Sequence, residues 1–281
     1  MRIANLEGRL ALIADGLAVD VEQASGGQFP ADPQAVYGRW NDFRAWVAQA
    51  ELPEGAEFDE ARLGSPAPSP RQLFAIGLNY RDHAAESGFA APDTLPPVFT
   101  KYVSSITGPI SDVRLPADGN TDWEIELVVV IGEGGHHIAE ADAWHHVAGL
   151  TAGQDLSERI TQMQSPAPQF GLGKSFPGFT PMGPHLVTPD EFENPDDLEL
   201  GCSIDGQEVQ KGRTRDLIFP VSTLIAKLSA IVPLLAGDVI FTGTPAGVGL
   251  GRTPQRFLRP GEQLVSHIEG IGELRQAFLE A

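Results

Sequence analysis

A series of short, β-branched-rich segments, each bounded by turn residues, sets the narrowest limits on what this chain can fold into. They read QLFAIGLNY from Gln72, ITGPISDVRLP from Ile106, EIELVVVIG from Glu124, HVAGLTAGQD from His146, HLVTPDEF from His185, ELGCSIDGQEVQ from Glu199, GDVIFTGTP from Gly237 and EQLVSHIEGIGEL from Glu262. Each has the composition and punctuation of a strand. One helix is predicted among them, beginning after Pro220 with Ser222 as its cap and running through Leu224, Ile225, Leu228 and Ile231. Strands that outnumber helices without alternating with them imply a mixed, mostly β (α+β) fold, not a doubly wound α/β sheet. No internal repeat is visible.

Ahead of these segments, residues 1–63 read as a small N-terminal α+β unit. The strand-like RLALIADGLAVDV is followed by a helical pattern at Val36, Trp40, Phe43, Trp46 and Val47. GSPAPSPRQ, residues 64–72, is rich in Pro, Ser and Gly and reads as a linker; the larger unit spans 73–281. Composition narrows the partners. With 19 basic and 38 acidic side chains the formal charge is -19, a field that repels nucleic acid and anionic membrane surfaces. A small anionic substrate stays allowed, because a local cation can reverse the sign inside a pocket. Cys202 is the only cysteine; it reads as a core thiol in a reducing compartment. No apolar run approaches a membrane span, and Asp15 interrupts the early apolar stretch, so a cytoplasmic protein is expected.

The segment DWEIEL places Glu124 and Glu126 two residues apart in a strand, hence on one face. As an isolated feature this reads equally as two solvated acids or as an oxygen-ligand site for a hard divalent cation. Asp155 closes the next apolar strand and can reach the same sheet end, although alone it also reads as a helix cap for LSERI. Three carboxylates are too acidic a set for zinc and suit Mg²⁺ or Mn²⁺. In GLNYRDHAAE, His83 and Glu86 are three apart at a helix start, an acid/base pair in prospect. Arg159, Gln162 and Lys174 offer donors to an anionic carbonyl compound.

Two other motifs fail. GLGKS lacks the first glycine of a phosphate loop, since Pro168 stands there, and GTPAGVGLG lacks dinucleotide spacing. The second reads as a tight loop whose amides, with Thr244, approach a ligand. His136, His137, His145 and His146 have no recognisable ligand spacing, and His185 and His267 have no evident partner.

Taken together, GLNYRDHAAE, DWEIELVVVIG, GQDLSERITQ, GKSFPGFTPMGP and GDVIFTGTPAGVG resemble the fumarylacetoacetate hydrolase family from about Leu73 onward. The resemblance implies a rolled, barrel-like β catalytic domain behind a small N-terminal domain, assembled as a homodimer. It implies one cation, Mg²⁺ or Mn²⁺, on Glu124, Glu126 and Asp155, and a catalytic pair at His83 and Glu86. Lys174 is expected to stabilise an enolate, and Tyr80, Arg159, Gln162 and Thr244 to bind substrate. The implied activity is hydrolysis of a C–C bond in an acylpyruvate-type acid. Oxaloacetate decarboxylation or isomerisation of an unsaturated 2-oxo diacid is the alternative, and an idle metal-binding protein the alternative of another class. Pro177 and Gly178 stand where many members carry Asp-Thr, and Ile160 where many carry an acid, which weakens any transfer of substrate identity.

Overall fold

The computed structural model describes residues 1–88, 90–164 and 166–281. Its strands form an eleven-stranded sheet, a five-stranded sheet and a two-stranded ladder, a mixed and mostly β architecture. The main path of the large sheet runs, in spatial order, Leu17–Asp20, Arg9–Ala14, Arg2–Leu6, Thr180–Val187, Val147–Gln154, Ile125–Ile131, Val239–Phe241, Leu73–Ile76 and Val98–Thr100. The N-terminal strands therefore join the large sheet directly, through Arg2↔Val187 and Ile3↔Leu186. Residues 64–72 carry little regular structure, yet Ser65, Pro66 and Ala67 are buried, and Tyr37 Oη donates to the Pro66 carbonyl at 2.8 Å.

The strand Ile125–Ile131 shows why a continuous apolar run was needed at this place. Ile125, Leu127, Val129 and Ile131 face one hydrophobic core. Val128 and Val130 face another, shared with Phe29, Tyr37, Trp40 and Phe43 of the N-terminal unit. A strand covered on both faces has no solvent side to spend polar residues on. Glu124 and Glu126 continue the face of Val128 and Val130, so at the strand's start that face changes from apolar to acidic.

The adjoining strand Val147–Gln154 pairs antiparallel, with Ile125 opposite Gln154 and Glu126 opposite Gly153. One step on, Asp155 N donates to the Glu124 carbonyl at 2.9 Å. Asp155 and Glu124 are thus cross-strand neighbours, where like charges are unfavourable unless compensated. Gly153 is required for packing: a Cβ there would lie 2.5 Å from Val128 Cγ2 and 2.6 Å from Phe241 Cε1.

The five-stranded sheet orders Gln207–Arg213, Glu199–Ile204, Gln263–Ile268, Gly272–Leu279 and Ile110–Arg114. Its first hairpin turns at Asp205 and Gly206, both at positive φ (49° and 80°), a twist that suits a two-residue connection.

Several expectations need correction. The helix after Pro220 spans Val221–Ser229, with Pro220 at its N-cap and no side-chain cap bond. Ser222 falls inside the first turn, where its hydroxyl no longer caps. Ile231 lies beyond the helix end and is 65% exposed. The helix stops where Ser229 Oγ takes the Ile138 amide and donates back to the Ala226 carbonyl. HLVTPDEF is not itself a strand: the strand is Thr180–Val187, and Pro189–Glu191 is a 3-10 turn. Pro181 and Pro184 disguised it, because proline cannot donate to a ladder; the pairing with Val147–Gln154 is irregular between Leu150 and Ala152. The strand Arg2–Leu6 and the edge strand Val98–Thr100 were not foreseen.

The packing at Gly153 yields a direct test. Gly153→Ala should destabilise the chain by about 1–3 kcal/mol through overpacking, lowering Tm by roughly 2–4 °C per kcal/mol at this size. An unchanged Tm in a thermal melt would contradict the close approach described.

Candidate metal centre

Glu124, Glu126 and Asp155 each bring a carboxylate oxygen to within 4.8 Å of the other two, and all three are buried. Among the described residues this is the only group of three or more His, Cys, Asp or Glu arranged so. The paired histidines at 136–137 and 145–146 form no such group; His146 Nδ1 instead meets the Glu133 carbonyl at 2.7 Å. Glu124 and Glu126 border a cavity of about 300 Å³, also lined by His83, Arg159, Gln162, Lys174, Thr244, Phe99 and Phe170, and Asp155 is buried beside them. A larger and more open cleft, about 850 Å³ around Arg252, Arg256 and Arg259, has Glu262 as its one acid and no histidine.

Four acids are packed here against three bases. Lys174 Nζ lies 2.7 Å from Glu124 Oε2 and 2.5 Å from Asp155 Oδ2. Lys101 Nζ lies 2.6 Å from Asp155 Oδ1. Arg159 bridges Asp122 Oδ2 and Glu124 Oε1, each at 2.7 Å. Burial alone would raise the Glu124 carboxyl, but Lys174 and Arg159 hold it below the usual carboxylate range. Glu126 differs. Among the described residues it has no ion pair; its Oε2 accepts only the Gly243 amide, at 2.7 Å. Burial, with Asp155 and Glu124 nearby, pushes its carboxyl well above the ordinary value.

That imbalance fits a cation. A buried acid beside two ion-paired acids, without a cationic partner of its own, is the electrostatic complement of a divalent ion with oxygen ligands. The donor set is all oxygen, so Glu124, Glu126 and Asp155 could hold a hard metal.

His83 and Glu86 sit on the short helix Arg81–Glu86. Glu86 Oε1 lies 2.9 Å from His83 Nδ1, which leaves Nε2 as the second ring nitrogen. Glu86 is itself fixed by the Gly247 amide, at 2.9 Å to Oε2 and 3.1 Å to Oε1. Gln162 Oε1 accepts from Arg159 Nη1 at 3.0 Å, so its amide N–H groups remain as the donor end. Despite burial, Asp155 and Glu124 keep the Lys174 ammonium pKa raised.

Of two further expected substrate contacts, only one lines the cavity. Thr244 borders the cavity, but its hydroxyl donates to the Ile125 carbonyl and accepts from Gln210 Nε2, both at 2.8 Å; its hydrogen is committed to holding the strand. Tyr80 lines a separate cleft with Arg215, Asp216 and Pro245. The glycine-rich loop also differs from expectation in what it binds. Its amides at Gly243, Gly247 and Gly249 bind the protein's own Glu126, Glu86 and Asp122.

Asp122 and Lys101 were missed. Asp122 is wholly buried and accepts from Arg159 Nε and Nη2, from the Gly249 and Leu250 amides, and from Trp123 N. It orients Arg159. The signal was present, because Asp122 precedes Glu124 by the same step of two. Lys101 carried no such signal, since lysine is seldom buried. Cys202 is a buried thiol whose pKa burial pushes up, as a core residue.

Residues 72–279 match the family profile for the fumarylacetoacetate (FAA) hydrolase C-terminal region. The chain belongs to the fumarylacetoacetate hydrolase family. It is similar to a human mitochondrial oxaloacetate tautomerase, 43% identical over 214 residues, covering 76% of this chain and 68% of the relative. A Mycobacterium smegmatis crystal structure, provisionally assigned as an HpcE protein, is 56% identical over the full length of both chains, with a TM-score of 0.96. The maleylpyruvate hydrolase of Sphingobium sp. SYK-6, solved with manganese(II) and pyruvate, is 26% identical, with a TM-score of 0.81 and 100% of both chains covered. Members of the fumarylacetoacetate hydrolase family are hydrolases, isomerases or tautomerases, and this chain is an enzyme of that kind. No helix among the described residues is long and apolar enough to cross a membrane.

Glu126 supplies the prediction for this centre. Its folded pKa is raised, so the unfolded chain ionises first, and the metal-free protein loses stability as pH rises above the ordinary value of 4.5. Glu126→Gln should remove that loss, raising the metal-free Tm at neutral pH by roughly 2–4 °C, about 1 kcal/mol at this size. The same variant should lose Mn²⁺ affinity in calorimetry. A lower Tm together with parental Mn²⁺ binding would contradict the assignment.

Proposed function

We propose that this enzyme is a divalent-metal-dependent hydrolase that cleaves a C–C bond in an acylpyruvate-type 2-oxo acid by way of an enolate. Mg²⁺ or Mn²⁺ is the proposed cation. The observation that carries the reading is one small cavity lined both by two carboxylates of a buried cluster of three and by a histidine whose partner is a glutamate. A neighbour solved with manganese(II) and pyruvate, the product half expected of such a cleavage, supports it.

Glu124, Glu126 and Asp155 would hold the cation, which would supply the positive charge that makes an enolate a tolerable leaving group. The chain's own residues do the rest. Glu86 holds His83 Nδ1, so Nε2 takes a proton from water, and the hydroxide adds to the distal carbonyl carbon. The C–C bond breaks, its electron pair leaving with the pyruvate half as an enolate while the acyl half departs as a carboxylic acid. The proton on His83 returns to the enolate carbon. The Lys174 ammonium stabilises the developing negative charge, and Arg159 and Gln162 orient the carboxylate. Phe99 and Phe170 supply apolar wall, which suits a small acid and keeps bulk water out.

A second reading rests on the human relative named as an oxaloacetate tautomerase. Keto–enol interconversion needs the cation and a proton carrier but no attacking water. Decarboxylation or isomerisation on the same site would share that economy. A homodimer and a cytoplasmic location belong to the same proposal.

The two chemistries part at His83. With Mn²⁺ and an acylpyruvate, loss of the enol absorbance and release of pyruvate are expected. His83→Asn should lower that turnover by about 10²–10⁴. No pyruvate from any acylpyruvate, alongside brisk interconversion of oxaloacetate tautomers, would replace hydrolysis with the second reading. Lys174→Met should also lose turnover, and it should lose stability too, because it leaves Glu124 and Asp155 with buried uncompensated charge. A parental Tm would contradict the ion-pair role of Lys174.

A further inference from the structure

Lys101 has no part in the chemistry proposed above, yet its side chain has no exposure to solvent. A buried ammonium is costly unless every donor is satisfied. Its Nζ donates to Asp155 Oδ1 at 2.6 Å, to the Lys174 carbonyl at 2.5 Å and to the Phe179 carbonyl at 3.0 Å. An ammonium has three N–H donors, and all three are spent. It has nothing left to offer a ligand.

Lys174 is its opposite. Its Nζ meets Glu124 Oε2 and Asp155 Oδ2, and it borders the cavity. The two lysines therefore grip opposite oxygens of one carboxylate: Oδ1 accepts from Lys101 and Oδ2 from Lys174. Lys101 also ties together three separate pieces of chain. It follows the edge strand Val98–Thr100, it holds the end of the short helix Phe170–Gly173 through the Lys174 carbonyl, and it holds Phe179 at the start of the strand Thr180–Val187.

We propose that Lys101 is the positioning residue of the cation site. By holding Asp155 Oδ1 and the Lys174 carbonyl together, it fixes where Asp155 Oδ2 points and how far the Lys174 side chain reaches into the cluster. This rests on Glu124, Glu126 and Asp155 being a cation site. Hydrogen-bonded partners behind metal-binding groups commonly govern affinity by about 10–100-fold. A residue that merely filled the core would change stability without changing the ion's surroundings.

The test is Mn²⁺ binding to the full chain and to Lys101→Met, by calorimetry, with the electron paramagnetic resonance spectrum of the bound ion and near-ultraviolet circular dichroism of the protein. Lys101→Met should keep the folded dichroism, bind Mn²⁺ about 10–100-fold more weakly and show an altered resonance pattern. Leu264→Ala, a core substitution in the strand Gln263–Ile268, should lose stability while keeping parental Mn²⁺ affinity and spectrum. Lys101→Gln, which retains an N–H donor without the charge, should fall between parent and Lys101→Met. It also serves if Lys101→Met fails to fold. Parental affinity and spectrum in a folded Lys101 variant would overturn the proposal and leave the cation site standing. A parent chain that binds no Mn²⁺ would overturn the cation site and this role with it. If neither Lys101 variant folds, Lys101 is a residue of the core and the proposal fails.

Discussion

Four carboxylates share one buried patch of interior, and the rest of the structure answers to that fact. Asp122, Glu124, Glu126 and Asp155 are each 5% exposed or less. Taking one such group out of water costs several kcal/mol even after relaxation, on the order that a whole domain's stability allows. Lys101, Lys174 and Arg159 compensate three of the charges by direct ion pairs, and backbone amides supply much of the remainder. Glu126 is left with an amide and no cation. The excess of acid suits the patch to a divalent ion, as a self-contained salt-bridge network would not.

The fold is arranged to deliver those groups without slack. Asp122, Glu124 and Glu126 alternate along one stretch of chain, and Asp155 comes to Glu124 by strand register. Gly153 opens room beside them. The glycine-rich stretch after Val239–Phe241 turns its amides onto three of the site's carboxylates, so its conformation is set by the acids it serves. Behind the strand, the N-terminal unit buries the apolar continuation of the same face. One strand thus carries core at one end and chemistry at the other.

What could be read from the sequence follows from which features act locally. The period of two that puts Glu124 and Glu126 on one face is a property of any strand, and the spacing of His83 and Glu86 is a property of any helical turn; both needed no tertiary information. The mostly β character was legible for the same reason. Thr180–Val187 was obscured because its prolines are tolerated only through an irregular pairing that the sequence alone does not announce. Ser222 looked like a cap until Pro220 took that place. Lys101 was invisible because its burial depends on three acceptors contributed by distant segments. Thr244 lies at the pocket as its motif implies, but with its hydroxyl engaged by Ile125 and Gln210, whereas Tyr80 lines a neighbouring cleft.

The location of the ion tests most directly whether the carboxylate cluster is a cation site. Crystals grown with Mn²⁺ should be measured on both sides of the manganese absorption edge. The expected result is one anomalous peak per chain, within coordination distance of oxygens from Glu124, Glu126 and Asp155, with the Lys174 ammonium displaced from between them. An empty cluster with Lys174 still bridging Glu124 and Asp155 in ion-saturated crystals, or a peak held by other residues, would contradict it.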